Sequence, residues 1–149
     1  MPDRKQVGTL IVLALTVIAA MAMPPDSSFA YGTIRSSCAP TDAPAIAITL
    51  TRERSGCKRT GPFASFAIWR GLPIRAGQAV ELGPGSTAGS AARCVKEGDC
   101  ELAQSARIVF DSYEERSGAT GHYEMVFRGG ETLKGPFEVK WCEERVVCG

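Results

Sequence analysis

Six cysteines are the residues of this 149-residue sequence with the most evident chemistry. The closest pairs, Cys94 with Cys100 and Cys142 with Cys148, have five residues between them. Zinc ligands usually come two to four residues apart and are often completed by histidine, whereas this chain has only His122. The sequence contains no Cys-x-x-Cys motif, which would have indicated a redox site. The even number therefore predicts disulfides, with no metal or other cofactor.

The sequence does not settle which of the possible pairings of six cysteines is formed. Local spacing favours the set Cys94–Cys100, Cys142–Cys148 and Cys38–Cys57. Chain entropy favours longer loops, because a bridge spanning most of the chain stabilises it by about 4.8 kcal/mol and a seven-residue loop by about 2.4 kcal/mol. The alternative that stays open is Cys38–Cys148 with Cys57–Cys142.

The familiar catalytic motifs do not occur in the sequence. It has no Gly-x-Ser-x-Gly, no His-Glu-x-x-His and no glycine-rich phosphate loop. His122 falls on the polar face of an expected strand. The acidic pairs 114–115 and 143–144 are adjacent, so their side chains point apart, whereas a glycosidase needs carboxyl groups facing each other across a cleft. The sequence predicts a protein that is not an enzyme; the alternative is a secreted hydrolase whose site is assembled from distant residues.

Four cations gather in one short segment, opposed only by Glu53. They are Arg52, Arg54, Lys58 and Arg59. A loop of this kind is able to contact an acidic protein groove or an anionic polymer. The simpler interpretation is a solubilising surface loop pinned by Cys57, since protein surfaces are normally charged. We take the four cations as the candidate binding residues.

The first thirty residues have the layout of a secretory signal peptide. Arg4 and Lys5 precede an apolar or small stretch over 10–23, and Pro24 and Pro25 follow it. The small residues of Ser28-Phe29-Ala30 predict cleavage after Ala30, and Ala20-Met21-Ala22 offers an alternative site after Ala22. The apolar stretch is shorter than the roughly 20 residues of a membrane span, which disfavours an uncut anchor.

Composition then bounds the exported part of the chain. We expect residues 1–30 to be the signal peptide and 31–149 to form a single domain that is secreted or periplasmic and has no transmembrane segment. The sequence is 44% hydrophobic and 22% charged, which excludes a disordered tail or a coiled coil. Its net charge of +1 gives no overall attraction to nucleic acid.

Alternation of apolar and polar residues with a period of two dominates the predicted domain. The clearest runs lie at 45–51, 66–69, 80–82, 106–113, 122–128 and 137–141. We expect the stretch 83–92 to be a flexible connection, with a short helix near 87–93. Short strands with one apolar face must bury that face, so we predict an all-β fold: a small antiparallel β-sandwich or, as the alternative, a small closed β-barrel.

The last hairpin allows a test of register. A three-residue loop at 129–131 sets Phe127 opposite Leu133 and Tyr123 opposite Phe137, and a bulge at Gly135-Pro136 has the same effect. In either case the large apolar residues share one core layer. Its expected members are Tyr123, Met125, Phe127, Leu133, Phe137, Val139 and Trp141.

Together these features predict an exported, disulfide-braced, non-catalytic binding domain. A loop already held in shape loses little entropy on binding, which suits an inhibitor or another recognition module. The expected partner is an extracytoplasmic protein or an anionic envelope polymer. A structural component of the envelope is a further alternative.

Overall fold

The computed structural model describes residues 28–149. The charged start, the apolar stretch and the possible cleavage site after Ala22 lie outside the described residues. Within 28–149, no helix has the length and apolar character needed to cross a membrane.

Nine strands form one open mixed sheet. They are β1 (Tyr31–Cys38), β2 (Pro44–Thr51), β3 (Phe63–Ile68), β4 (Ala79–Leu82), β5 (Gly89–Lys96), β6 (Asp99–Leu102), β7 (Ser105–Glu114), β8 (Gly118–Val126) and β9 (Thr132–Trp141). Their order across the sheet is β4-β7-β8-β9-β1-β2-β3-β5-β6. The predicted all-β class is confirmed. The expectation of purely antiparallel pairing is wrong at one place, because β1 and β9 pair in parallel.

The sheet bends over its apolar face to enclose one main core. Phe66 on β3 and Tyr123 on β8 meet edge to face with ring centres 5.4 Å apart, although three strands separate them in the sheet order. β4 and β6 are the two ends of that order and share no ladder. An open sheet folded in this way fits a sandwich-like arrangement with two layers of side chains.

Alternation along the C-terminal strands places their large apolar residues in this core. Tyr123, Met125, Phe127, Phe137 and Val139 are buried, and Leu133 and Trp141 pack against its margin. The predicted membership of this layer is confirmed.

The register of the last hairpin differs from the expected one by two residues. Met125 faces Leu133, and Phe127 donates its backbone N–H to the carbonyl of Glu131 at 2.8 Å. No bulge occurs at 135–136, where the ladder is continuous. Because side chains alternate between the two faces of a strand, a shift of two residues moves none of them to the other face. The predicted core residues are therefore correct, although the residues predicted to lie opposite each other are not.

Glycines explain the observed register. Tyr123 lies opposite Gly135, and Phe137 lies opposite Gly121. A Cβ on Gly121 would lie 2.8 Å from the Phe137 ring and would overlap the carbonyl of Val109. The Phe137 ring therefore occupies the space that Gly121 leaves open, whereas the atom closest to a Cβ on Gly135 would be the Cβ of Ser28, at 3.0 Å. Neither Tyr123 nor Phe137 lies opposite another ring in this ladder.

The prediction of a flexible connection over 83–92, with a short helix near 87–93, is wrong from Gly89 onward, where β5 begins. Phe66 on β3 faces Ala91 on β5, and a Cβ on Gly89 would overlap the carbonyl of Ala67. Small residues are needed here because the two strands approach closely and the β3 side chains fill the core. The pattern in β5 is one of size and not of polarity, so apolar periodicity does not detect it.

The disulfides are Cys38–Cys148, Cys57–Cys142 and Cys94–Cys100. The predicted bridge Cys94–Cys100 is confirmed, whereas Cys38–Cys57 and Cys142–Cys148 are wrong and the long-range alternative is correct. The reason is the parallel pairing of β1 with β9, which brings the segment after β9 alongside β1. The Cys142 N–H accordingly donates to the carbonyl of Ile34 at 2.9 Å.

Removal of the longest bridge should cost more stability than removal of the shortest. We expect the Cys38→Ser/Cys148→Ser variant to lose about 3–5 kcal/mol, since Cys57–Cys142 already closes part of its loop, and Cys94→Ser/Cys100→Ser to lose about 2 kcal/mol. Urea unfolding of the oxidised proteins measures both. Equal losses would contradict the long-range connectivity, which non-reducing peptide mapping checks directly.

Burial makes the stability of the domain sensitive to alkali through one tyrosine. Burial raises the pKa of Tyr123 to about 12, with partial opposition from its backbone hydrogen bond at Phe29. An unfolded chain has a tyrosine pKa of about 10, so the unfolded state loses this proton first as the pH rises. The contribution of the neutral phenol, roughly 2–3 kcal/mol, is fully present below pH 10 and is lost as the pH approaches 12.

Tyr123→Phe should be less stable than the parent at pH 8, because Phe29 then loses its buried partner. The difference in unfolding free energy between the two proteins should narrow between about pH 10 and pH 12. Urea titrations at pH 8, 10 and 12 measure it. Parallel pH profiles would refute the assignment, since all other titrating groups are common to both proteins.

Candidate functional site

The cation loop, residues 52–59, connects β2 to β3 and is held against the domain. Arg54 makes a two-pronged ion pair with Glu138, with both N···O distances 3.0 Å, and its guanidinium lies 4.4 Å from the ring centre of Tyr31. The hydrogen bonds between the two side chains raise the pKa of Arg54 and lower that of Glu138. This arginine is therefore used within the fold.

Two more of the predicted binding residues are also engaged internally. Arg59 pairs with Glu97 at 3.3 Å and lies 4.7 Å from the ring centre of Phe63. Arg52 lies 5.3 Å from the ring centre of Phe29. Lys58 is exposed and forms no ion pair among residues 28–149. The loop thus braces the domain with three of its four cations, which reduces the charge left to attract a partner.

A second candidate, not found from the sequence, is a cleft of about 690 Å³ that both tryptophans of the chain line. We call it the aromatic cleft. It is lined by Ser36, Pro44, Ala45, Ile46, Trp69, Arg70, Gly71, Leu72, Pro73, Tyr113, Glu115 and Trp141. Its volume is typical of ligand sites, and so is a mostly apolar wall with a few polar groups.

Three strand ends position the aromatic side chains. Trp69 follows β3 directly and donates its N–H to the carbonyl of Ala88 at 2.7 Å. Trp141 is the last residue of β9 and donates its N–H to the carbonyl of Ser117 at 2.8 Å. Tyr113 packs edge to face on the buried ring of Phe110 at 6.3 Å. All three are half-buried, so each offers part of a ring to solvent from a fixed backbone.

The rim segment 70–73 is held by a single glutamine. The side-chain amide of Gln78 donates to the carbonyl of Gly71 at 3.1 Å, and its oxygen accepts from the N–H of Arg75 at 2.9 Å. Gly71 has φ of 82°, a conformation that glycine adopts readily. The rim of the cleft therefore has a defined shape before any ligand arrives.

The polar groups of the aromatic cleft include both donors and acceptors. Arg70 and Glu115 are exposed and form no ion pair among the described residues 28–149, unlike Arg54 with Glu138. Ser36 adds a hydroxyl that can donate or accept. Burial raises the pKa of Tyr113, and the negative charge of Glu115 adds to the shift. The neutral tyrosine hydroxyl is thus also available for hydrogen bonding.

The cleft continues toward the C-terminal tail. An adjoining depression of about 430 Å³ shares Ser36, Glu115 and Trp141 with it and extends to Arg145. The tail is fixed there by Cys148 and by the ion pair of Arg35 with Glu144 at 2.8 Å. The two depressions therefore adjoin at these three shared residues.

The remaining predictions about chemistry stay predictions. Within residues 28–149, His, Cys, Asp and Glu form no group of three or more able to hold a metal ion. His122 is exposed on β8, as expected for the polar face of its strand, and lies 3.6 Å from Asp111.

Sequence reasoning missed the aromatic cleft because its residues are far apart in the chain. Trp141 is expected in the core layer of the last hairpin and Trp69 ends the separate run 66–69, and nothing in the sequence brings the two together. The available signal was that Trp69, Tyr113 and Trp141 all lie within two residues of a strand end. Strand ends meet only when the topology is known.

No known protein family, curated protein or solved structure matches this chain. Its function is therefore inferred from its own residues and their geometry.

Because both tryptophans line the cleft, tryptophan fluorescence reports on this site alone. We expect acrylamide to quench the single tryptophan of Trp69→Phe and that of Trp141→Phe, since each ring is half-exposed. Stern–Volmer plots measure the two accessibilities, with the urea-unfolded chains as the fully accessible control. A variant whose remaining tryptophan resists quenching would contradict the open cleft.

Proposed function

We propose that this chain is an exported, non-catalytic binding domain that holds a neutral oligosaccharide in the aromatic cleft. The observation that carries the proposal is the convergence of Trp69, Tyr113 and Trp141 beside the internally unpaired charges of Arg70 and Glu115. The three disulfides support the setting, since such bridges persist in oxidising, extracytoplasmic compartments. Cleavage of a signal peptide and a secreted or periplasmic location belong to the same proposal.

The chemistry of the cleft favours a sugar over an ion. Sugar rings present apolar C–H faces that pack on aromatic rings, and their hydroxyl groups both donate and accept hydrogen bonds. Arg70 donates, Glu115 accepts, and Ser36 does both. The lining has one cation, Arg70, and one anion, Glu115, so its formal charges sum to zero and a ligand with a net charge of either sign gains little there.

The strand order favours a sugar over an extended peptide. Peptides that add a strand to a sheet need a free edge whose backbone groups are unpaired. The cleft floor comes from β1, β2 and β9. Beside it, β1 has no β9 partner beyond Ile34 and β2 has no β3 partner before Ile46, so each free edge is only a few residues long. The C-terminal tail also lies against the free part of β1, where Cys38 is bonded to Cys148. Recognition by side chains is therefore the mode that this floor supports.

The cation loop is the less favoured place for a partner. Its attraction to an anionic polymer or an acidic protein was predicted from four clustered charges. Arg52, Arg54 and Arg59 instead contact aromatic rings of the domain, and the latter two also pair with Glu138 and Glu97.

Fluorescence and calorimetric titration of the exported protein with neutral oligosaccharides tests the proposal. A panel of β-1,4-linked glucose, β-1,4-linked N-acetylglucosamine and α-1,4-linked glucose hexamers should contain at least one binder. Trp69→Ala and Trp141→Ala should each weaken its binding by about tenfold or more, because a truncated aromatic anchor typically costs over 1 kcal/mol.

Two further sets of variants change only exposed side chains, so that a loss of binding cannot be attributed to misfolding. Arg70→Gln and Glu115→Gln change exposed side chains and should also weaken binding. The matched control Arg52→Ser/Lys58→Ser, in the cation loop, should leave it unchanged. No binding by any glycan, or a loss confined to the cation-loop variant, would refute the proposal.

The same samples address the other predicted functions. New reducing ends after incubation with the bound glycan would show a hydrolase. Assembly into large oligomers on gel filtration would favour a structural component. Binding of an acidic peptide in place of all glycans would favour a protein partner; each of these results would overturn the present proposal.

A further inference from the structure

The three residues before β1 belong to the folded domain. Phe29 is only 5% exposed and is a member of the main core cluster. The guanidinium of Arg52 covers its ring from outside at 5.3 Å. An aromatic ring buried to this extent contributes to stability as any core residue does.

Backbone hydrogen bonds fix this segment on both sides. The Phe29 N–H donates to the Tyr123 hydroxyl at 3.1 Å, and that hydroxyl donates to the Phe29 carbonyl at 3.0 Å. The Ala30 N–H donates to the carbonyl of Thr51 at 3.1 Å, and its carbonyl accepts from the N–H of Glu138 at 2.9 Å. Residues 29–30 therefore prolong the contacts of β1 with β2 and β9.

Cleavage after Ala30 would remove all of these contacts. The Tyr123 hydroxyl, on a residue that is 2% exposed, would lose both of its partners at Phe29. A buried polar group without a partner and a cavity the size of a phenyl ring both destabilise a fold. The new charged amino group at Tyr31 would also lie next to Thr51, which is buried.

We infer that export processing takes place after Ala22 and that the mature protein retains Phe29. Ala20-Met21-Ala22 satisfies the same requirement for small residues as Ser28-Phe29-Ala30 and lies within the apolar stretch, close to its end. Of the two predicted cleavage sites, only this one leaves residues 28–30 available to complete the core. The inference rests on the export included in the proposed function and is independent of what the aromatic cleft binds.

Expression of the full chain in an exporting bacterial host tests the inference. N-terminal sequencing and the intact mass of the exported protein should give Met23 as the first residue. Tyr31 as the first residue would overturn the inference.

A pair of full-chain variants gives an independent readout. If Phe29 is retained, Phe29→Ala should change the mass of the exported protein and lower its melting temperature by about 10 °C or more. Asp26→Ala is the matched control, which should change the mass without this loss of stability. Exported parent and Phe29→Ala proteins of identical mass and melting temperature would show that cleavage follows residue 29 and would refute the inference.

Discussion

The fold depends on the parallel pairing of its first and last strands. In the sheet order, β9 ends a group of four strands and β1 begins a group of five, so the β1–β9 ladder is the junction between them. The ladder is short, running from Tyr31 opposite Glu138 to Ile34 opposite Trp141. Parallel pairs are also slightly less stable per residue than antiparallel ones. Both long-range disulfides cross this junction, which compensates for its short length.

The N-terminal segment strengthens the same junction from the other end. Ala30 hydrogen-bonds to the neighbouring strands on both sides, and the backbone N–H and carbonyl of Phe29 both hydrogen-bond to the Tyr123 hydroxyl. The bend of the sheet then brings Tyr123 onto Phe66 from the opposite group of strands. Hydrogen bonds, covalent bridges and aromatic packing thus all hold the two groups of strands together.

The aromatic cleft opens just beyond the last residue pair of this junction. Trp141 is that last residue on β9, and Ser36 follows on β1. A site placed next to two covalent bridges is held in shape before binding, so little entropy is lost when a ligand arrives. In the cation loop, by contrast, Arg54 and Arg59 form ion pairs with Glu138 and Glu97 of the domain itself. Their charges therefore serve the fold and not a ligand.

Local alternation of apolar and polar residues is sufficient to predict six of the nine strands and the inward faces of those six. Alternation in 122–128 and 137–141 identified Tyr123, Phe127 and Val139 as core residues, because the side-chain period of a strand is two whatever its partner. The glycine at position 98 and the short spacing around it likewise determined the bridge of Cys94 with Cys100. These are local properties, and neighbouring residues are sufficient to specify them.

Contacts between distant parts of the chain, by contrast, depend on the fold as a whole. The pairing of Cys38 with Cys148, the strand formed by the small residues of β5 and the meeting of Trp69 with Trp141 in one cleft all follow from strand order. Strand order depends on packing and loop closure summed over the whole domain, and no single segment records it. For the same reason the role of Phe29 became visible only when Tyr123, far along the chain, was placed beside it.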